Sequence, residues 1–317
     1  MKILVTGALG HIGSSFIRQT PPHIIKHMDL LDNLSTQRYA SLFHLPDNLS
    51  YHFWQADICE VELDTYLTGV DVVIHLAAKT DAEGSVNMRQ KVEQINFEGT
   101  KRVAKACVKQ QCKLIFLSTT SVYGHQAETV HEDCPIEDLH PQSPYAESKL
   151  KAEQMLQEKG QREGLQFIIC RFGTIFGPSV GMRFHTAINK FCWQACLGQP
   201  LTVWRTAMHQ KRPYLDLKDA VRALNFILVH DIFDGRIYNV LTTNVTVKDI
   251  IGIIQSTIPD LQVTYVDSPI MNQLSYNVSC QRFIDLGFDF SGDLKQGIED
   301  TLQLFQALGG HTTVSKI

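Results

Sequence analysis

The sequence predicts an α/β protein, a doubly wound parallel sheet with a smaller C-terminal substrate-binding lobe. Three observations lead there. An apolar run, Lys2 to Thr6, passes into a glycine-rich turn, Gly7-x-x-Gly10-x-x-Gly13, and then into a helix-like segment, Ser14 to Gln19. Apolar strand-like runs then alternate with helical segments as far as Arg171, the rhythm that strand-helix-strand units impose. At Phe172-Gly173-Thr174-Ile175-Phe176-Gly177-Pro178 this alternation stops, and the remaining chain reads as a lobe laid over the sheet.

The first turn carries the clearest chemistry. Its glycines permit a tight bend and a close backbone approach, and the helix that follows points its N-terminus at a pyrophosphate. The second strand, Ile25 to Leu31, ends at Asp32-Asn33, with Asp32 lying 19 residues beyond Gly13. A carboxylate there suits the adenosine ribose hydroxyls and repels a 2′-phosphate, so NAD is expected rather than NADP. Asp29 competes for this role but lies within the strand. A third strand, Ser50 to Gln55, leads to Asp57-Ile58, placed to hold the adenine amino group. The fourth, Val70 to Leu76, is continuously apolar, as strands covered on both faces are. It opens into Ala77-Ala78-Lys79-Thr80, where small residues let a dinucleotide lie against the backbone.

A helix is expected over Asn96 to Lys109, a fifth strand over Leu114 to Ser118 and a sixth over Gln166 to Arg171. Between them Tyr145 to Gly160, rich in Ala, Glu, Lys and Leu, reads as a helix ending at a glycine. Tyr145 and Lys149 are four residues apart on it and share a face. An ammonium close to a phenol favours the phenolate, so the pair is a candidate general acid/base. Ser118-Thr119-Thr120-Ser121 sits at the carboxyl edge of the sheet, where such a pair would work. In the later chain, helices are expected over Phe184 to Leu197, Asp219 to His230, Val247 to Ile258 and Asp293 to Leu308, before a polar tail. Strands are expected over Leu201 to Trp204 and Tyr238 to Val240. The expected organisation is an NAD-binding domain over 1–172, to which about 212–241 return, and a substrate lobe over 173–211 and 242–317.

Composition narrows the alternatives. Over 317 residues the chain is 44% apolar and 20% charged, ordinary values for a globular protein. A net charge of −4 supplies no basic surplus for nucleic acid or anionic membranes. The N-terminal apolar run is too short for a signal peptide, and no run approaches the ~18 apolar residues of a membrane span. Eight scattered cysteines form no Cys-x-x-Cys pair, and the 13 histidines show no metal-ligand spacing. The expectation is a cytoplasmic protein with reduced thiols and no metal.

Taken in order, several motifs resemble one family. They are Thr6-Gly7-Ala8-Leu9-Gly10-His11-Ile12-Gly13, Asp32-Asn33-Leu34, Ala56-Asp57-Ile58, Val73 to Ala78 and Asn96-Phe97-Glu98-Gly99-Thr100. Later come Leu117 to Gly124, Ser143 to Lys149, Arg212-Pro213-Tyr214-Leu215-Asp216 and Tyr238-Asn239-Val240. Together they resemble the extended short-chain dehydrogenases/reductases, in particular the NAD-dependent epimerases and dehydratases of nucleotide sugars, which have a Rossmann-like fold. The resemblance implies a triad of Thr119, Tyr145 and Lys149, with Lys149 also holding the nicotinamide ribose. It implies an NAD site lined by Gly7, Gly10, His11, Ile12, Gly13, Asp32, Asn33, Asp57, Ile58, Leu76, Ala77, Ala78, Lys79, Asn96 and Ser118, together with Tyr145 and Lys149. Substrate contacts are implied for Thr119, Thr120, Thr174, Arg183, Lys190 and Arg212, the last on the diphosphate.

Departures from the family pattern sharpen the expectation. His11 replaces the usual aromatic, Gly173-Thr174 stands where epimerases commonly carry an Asn, and Arg205 takes the place of a glycine after Trp204. Dehydratases commonly follow the catalytic Thr with an Asp-Glu pair, but here Thr120 and Ser121 follow it. The resemblance therefore implies a nucleotide-sugar epimerase, acting at C4 of the hexose through a transient 4-keto sugar. The alternatives are a dehydratase or oxidoreductase of the same family, and a non-catalytic NAD-binding sensor. A homodimer is also implied, with Asn96 to Lys109 and Tyr145 to Gly160 as its four-helix interface.

Overall fold

Strand β1 (Lys2–Thr6) lies in the interior of a seven-stranded sheet, where its apolar side chains are covered on both faces. A computed structural model describes residues 1–82, 84–124, 129–267 and 276–307. From β1 the chain passes through helix α1 (His11–Gln19) to β2 (His27–Asp32) and β3 (Ser50–Gln55), moving to one edge. Helix α2 (Leu63–Leu67) then returns it to the other side of β1, where β4 (Val72–His75) pairs. The strand order therefore reverses between β1 and β4, which opens a crevice at their carboxyl ends.

Helix α3 (Arg89–Val92) leads through a π-helical turn, Glu93–Glu98, into α4 (Gly99–Gln110) and β5 (Lys113–Thr119). The expected single helix over Asn96 to Lys109 is thus two windings, and the looser one holds Asn96. Strand β6 (Thr129–Val130) precedes α5 (Pro144–Glu163), the longest of the described helices. Helix α5 begins with Ser143 Oγ accepting from Ala146 N, has Pro144 in its first turn, and closes on Gly164 in the left-handed region. Strand β7 (Phe167–Phe172) follows, and with β11 (Ile237–Val240) the order is completed as β11-β7-β5-β4-β1-β2-β3, every pairing parallel.

The later chain builds the lobe around β8 (Thr174–Phe176), helix α6 (Ala187–Cys196), β9 (Leu201–Trp204) and β10 (Lys211–Asp216). Helix α7 (Leu217–His230) and β11 (Ile237–Val240) go back to the main sheet, β11 pairing with β7. Strand β12 (Thr243–Thr246), helix α8 (Val247–Thr257), β13 (Val263–Val266), β14 (Asn277–Val278), α9 (Gln281–Ile284) and α10 (Leu294–Phe305) complete the described chain. Strands β8, β10 and β12 form a separate three-stranded sheet that was not expected from the sequence. The expected polar tail, with Leu308, lies outside the described residues.

Apolar side chains fill both faces of the main sheet. Phe16, Ile17, Leu224 and Ile227 pack on one side, while Val103, Ala104, Ala152 and Leu156 pack on the other. The lobe has its own core, in which Phe191, Ile250, Ile254 and Ile298 meet. With two cores built independently, the space left between sheet edge and lobe is a cleft. No described helix is long and apolar enough to cross a membrane.

Candidate active site

The cleft is a cavity of about 610 Å³ that runs from the glycine-rich turn to the lobe. Its deep wall is backbone. Gly7 has a positive φ of 65°, and a Cβ there would lie 2.6 Å from Ala77 N. A Cβ on Gly13 would lie 2.3 Å from the Ala8 carbonyl oxygen, so the start of α1 can sit this close only without side chains. Asp32 ends β2 with one carboxylate oxygen accepting from Leu9 N at 3.1 Å and the other from Leu34 N at 2.9 Å. Asp57 accepts from Asn33 Nδ2 at 2.7 Å, which ties two of the expected adenosine contacts together. Asp29, the competitor, is turned to Lys2 and His27 and does not line the cavity.

His11 faces the lobe as well as the turn. Its Nε2 lies 2.8 Å from the Gly177 carbonyl, Ser179 Oγ donates to the His11 carbonyl at 3.1 Å, and Gly181 N donates to Ser14 Oγ at 3.0 Å. The chain leaving β8 is therefore seated on the start of α1. Burial pushes the His11 imidazole down to about 4, so it is neutral at ordinary pH and donates to that carbonyl.

Thr119, Ser121, Tyr145, Lys149 and Thr174 all line the cavity. Register explains part of this, since β5 and β7 run parallel and Thr119 pairs with Phe172, two residues before Thr174. Thr119 Oγ1 accepts from Ser121 N at 3.1 Å and so fixes the turn that leaves β5. Lys149 is buried and donates from Nζ to the Leu117 carbonyl at 2.8 Å, with the Phe116 ring beneath it at 4.6 Å. Burial pulls its ammonium down to about 7, against the opposing field of Glu153.

The simple pairing of Tyr145 with Lys149 is corrected here. Burial holds the Tyr145 phenol above its usual range, and what draws it down is a hydrogen bond to Thr119 and the charge of Arg183. Helical spacing places Lys149 on the right face, but the Leu117 carbonyl takes its ammonium. Arg183 also reaches across the cleft to the Thr80 hydroxyl.

At the lobe end lie Arg183, Lys190 and Arg212. Two guanidinium nitrogens of Arg212, Nε and Nη2, are buried with no hydrogen-bond partner. Unpartnered buried donors on a cation require an anion to complete them. The Thr186 hydroxyl, at the start of α6, is likewise buried and unpartnered.

Two expected contacts do not line the cavity. Asn96 is fully buried behind its wall, where Oδ1 accepts from Lys79 N at 2.8 Å and Nδ2 donates to the Lys79 carbonyl at 3.0 Å. It braces Lys79 rather than facing a ligand. Thr120 is turned away, its hydroxyl donating to the Phe172 carbonyl at 3.3 Å. All the other expected residues line it: Gly7, Gly10, His11, Ile12, Gly13, Asp32, Asn33, Asp57, Ile58, Leu76, Ala77, Ala78, Lys79 and Ser118 on the dinucleotide side, and those named above. Sequence reasoning passed over Arg38, Asp81, His185 and Thr186, which also line it. Arg38, six residues beyond Asp32, had a positional signal, whereas the stretch with His185 and Thr186 carries no motif.

A phenol and an ammonium at the open end of a dinucleotide cradle define the extended short-chain dehydrogenase/reductase class. The chain belongs to the NAD dependent epimerase/dehydratase family, whose sequence model matches residues 3–240. An uncharacterized UDP-glucose epimerase of Bacillus subtilis, YtcB, is 30% identical over 237 residues, covering 72% of each chain. A trifunctional UDP-glucose 4,6-dehydratase, 3,5-epimerase and reductase of Arabidopsis thaliana is 28% identical over 96% of this chain. Because that enzyme is longer, the chain spans 47% of it, about half the length of such relatives. Among solved structures, the dTDP-glucose 4,6-dehydratase DesIV of Streptomyces venezuelae, crystallised with NAD, superposes with a TM-score of 0.86. It is 24% identical and the match covers 97% of each chain, a likeness of fold. NAD is the cofactor of the family, and the cradle at Gly7 and Gly13 with the carboxylate of Asp32 fits it.

Proposed function

We propose that the protein is an NAD-dependent nucleotide-sugar epimerase, acting at C4 of a nucleoside-diphosphate hexose through a transient 4-keto sugar. One observation carries the choice within the family. The residues after Thr119 are hydroxyls, with Thr120 turned to Phe172, and among the described residues the only carboxylates lining the cavity are Asp32, Asp57 and Asp81. The first two lie along the adenosine end, and Asp81 is engaged by Gly84 N at 3.0 Å. Loss of water from a 4-keto sugar needs a base for the C5 proton and an acid for the departing C6 hydroxyl, and the described residues lining the cavity supply no carboxylate beside Tyr145 for either.

Bound NAD supplies the hydride acceptor and later the donor at the sugar carbon. Tyr145, as phenolate, would take the proton from the C4 hydroxyl and return it to the same oxygen once the centre has inverted, while Thr119 orients that oxygen. Lys149 would hold the nicotinamide ribose. Arg212, with its two unpartnered donors, would grip the diphosphate and let the keto sugar turn about that anchor. Arg183 and Lys190 would complete the nucleotide side. Helices α4 and α5, side by side on one face, offer the surface on which two copies would pair as a homodimer.

The proposal is tested by following NADH absorbance while the purified protein turns over a nucleotide hexose. An epimerase converts the sugar with no net NADH. Stoichiometric NADH would make the protein a net oxidoreductase, and NAD binding without turnover of any sugar would make it a sensor.

A further inference from the structure

One turn beyond Lys149 on α5, the side chain of Glu153 is buried to 1% exposure. Its carboxylate accepts from Arg171 Nε at 3.1 and 3.2 Å and from Arg171 Nη2 at 2.7 Å, and Ser118 Oγ donates to it as well. Arg171 is only 2% exposed, and it stands opposite Ser118 in the parallel pairing of β5 with β7. One carboxylate therefore joins a helix to two adjacent strands, immediately before Thr119 on one and one turn from Lys149 on the other element. We propose that Glu153 is a positioning residue of the active site, which fixes α5 against β5 and β7 and sets a buried, paired carboxylate one helical turn from the Lys149 ammonium where it meets the Leu117 carbonyl.

Charge balance explains why an anion is needed. Arg171 and Glu153 form an ion pair in a dry setting, where losing either partner would strand a buried charge. Lys149 is itself 3% exposed, and burial favours its neutral amine. The groups facing it are Tyr145 and Glu153 on its own helix, His75 on β4, and the Leu117 carbonyl and Phe116 ring on β5, with Arg171 behind on β7. Burial and the Lys149 charge push His75 down to about 3, so it is neutral and gives no help. Glu153 is the anion in this set, and its field is what opposes the loss of the Lys149 proton.

The test reads Lys149 itself. In the holoprotein with [15N]lysine, the Lys149 Nζ signal is assigned by its disappearance in Lys149→Met and followed against pH. In Glu153→Gln the midpoint should fall by about one pH unit or more, because a neighbouring opposite charge has been removed. In Glu153→Asp, which keeps the charge, it should stay near wild type. An unmoved midpoint in Glu153→Gln overturns the proposal. If Glu153→Gln does not fold, a midpoint in Glu153→Asp that falls by about a unit overturns it just as well. A kinetic arm, which rests on the epimerase proposal, expects the alkaline limb of kcat to move with the midpoint. A purely structural role would lower kcat equally at all pH. Because the NMR arm needs no substrate, failure of the epimerase reading would leave it standing.

Discussion

Lys149 Nζ donates to the Leu117 carbonyl at 2.8 Å, two residues before Thr119 on the same strand. The bond fixes the cation of the triad against β5, and it leaves Tyr145 to Thr119 and Arg183. Burial holds the phenol above its usual range in the free protein, against the pull of those two partners.

Replacing Tyr145 with Phe removes the group proposed to carry the proton. The expected loss is roughly 10²- to 10⁴-fold in kcat, with NAD content unchanged in the denatured supernatant. Activity near wild type would remove Tyr145 from the chemistry.

Arg212 offers two buried donors without partners. Arg212→Ala should raise KM for a nucleotide sugar about 10- to 100-fold, the value of charged hydrogen bonds to a diphosphate. The same change should leave NAD binding alone, as equilibrium dialysis with labelled NAD would show.

Two buried histidines make the fold sensitive to acid. Burial depresses both, His75 to about 3 and His11 to about 4, whereas an unfolded imidazole takes its proton near 6.5. The unfolded chain therefore binds more protons below that value, and stability held above it is lost as pH falls towards the native values. Each histidine should contribute a slope of about 1.4 kcal/mol per pH unit in urea unfolding between roughly 6.5 and 4. His75→Gln should remove one of these slopes.

Gly13→Ala puts a methyl group 2.3 Å from the Ala8 carbonyl oxygen. The turn must open, at about 1–3 kcal/mol, and the cradle with it. The variant should purify with less NAD than wild type and melt at a lower temperature.

The main sheet was largely legible. Lys2–Thr6 and Ser50–Gln55 carry apolar or aromatic runs and form strands of that sheet with the expected limits, as Leu201–Trp204 does in the lobe. The glycines of the first turn and Asp32 could be read because local chain geometry fixes their relation. What could not be read depends on contacts across the fold. The family motif implies Asn96 at the ligand, but the π turn that holds it, whose apolar spacing is close to that of an α-helix, aims it at Lys79. Thr120 turns inward because Phe172 offers it a carbonyl from a strand far away in sequence. The bond between Glu153 and Arg171 joins a helix and a strand 18 residues apart, and no spacing rule connects them. The i, i+4 rule brought Lys149 to the correct face but could not foresee that Leu117 would capture its ammonium.

Proton NMR of the anomeric signals tests the proposed epimerase most directly, using purified protein, a panel of UDP-, dTDP-, CDP- and GDP-hexoses and no added NAD. A C4 epimerase will generate the anomeric signal of the epimer until the two sugars reach equilibrium, with bound NAD recycled. A 4-keto product that has lost its C6 hydroxyl would contradict the assignment, and would mean that Thr119, Ser121 and Tyr145 dehydrate the sugar without an acid pair.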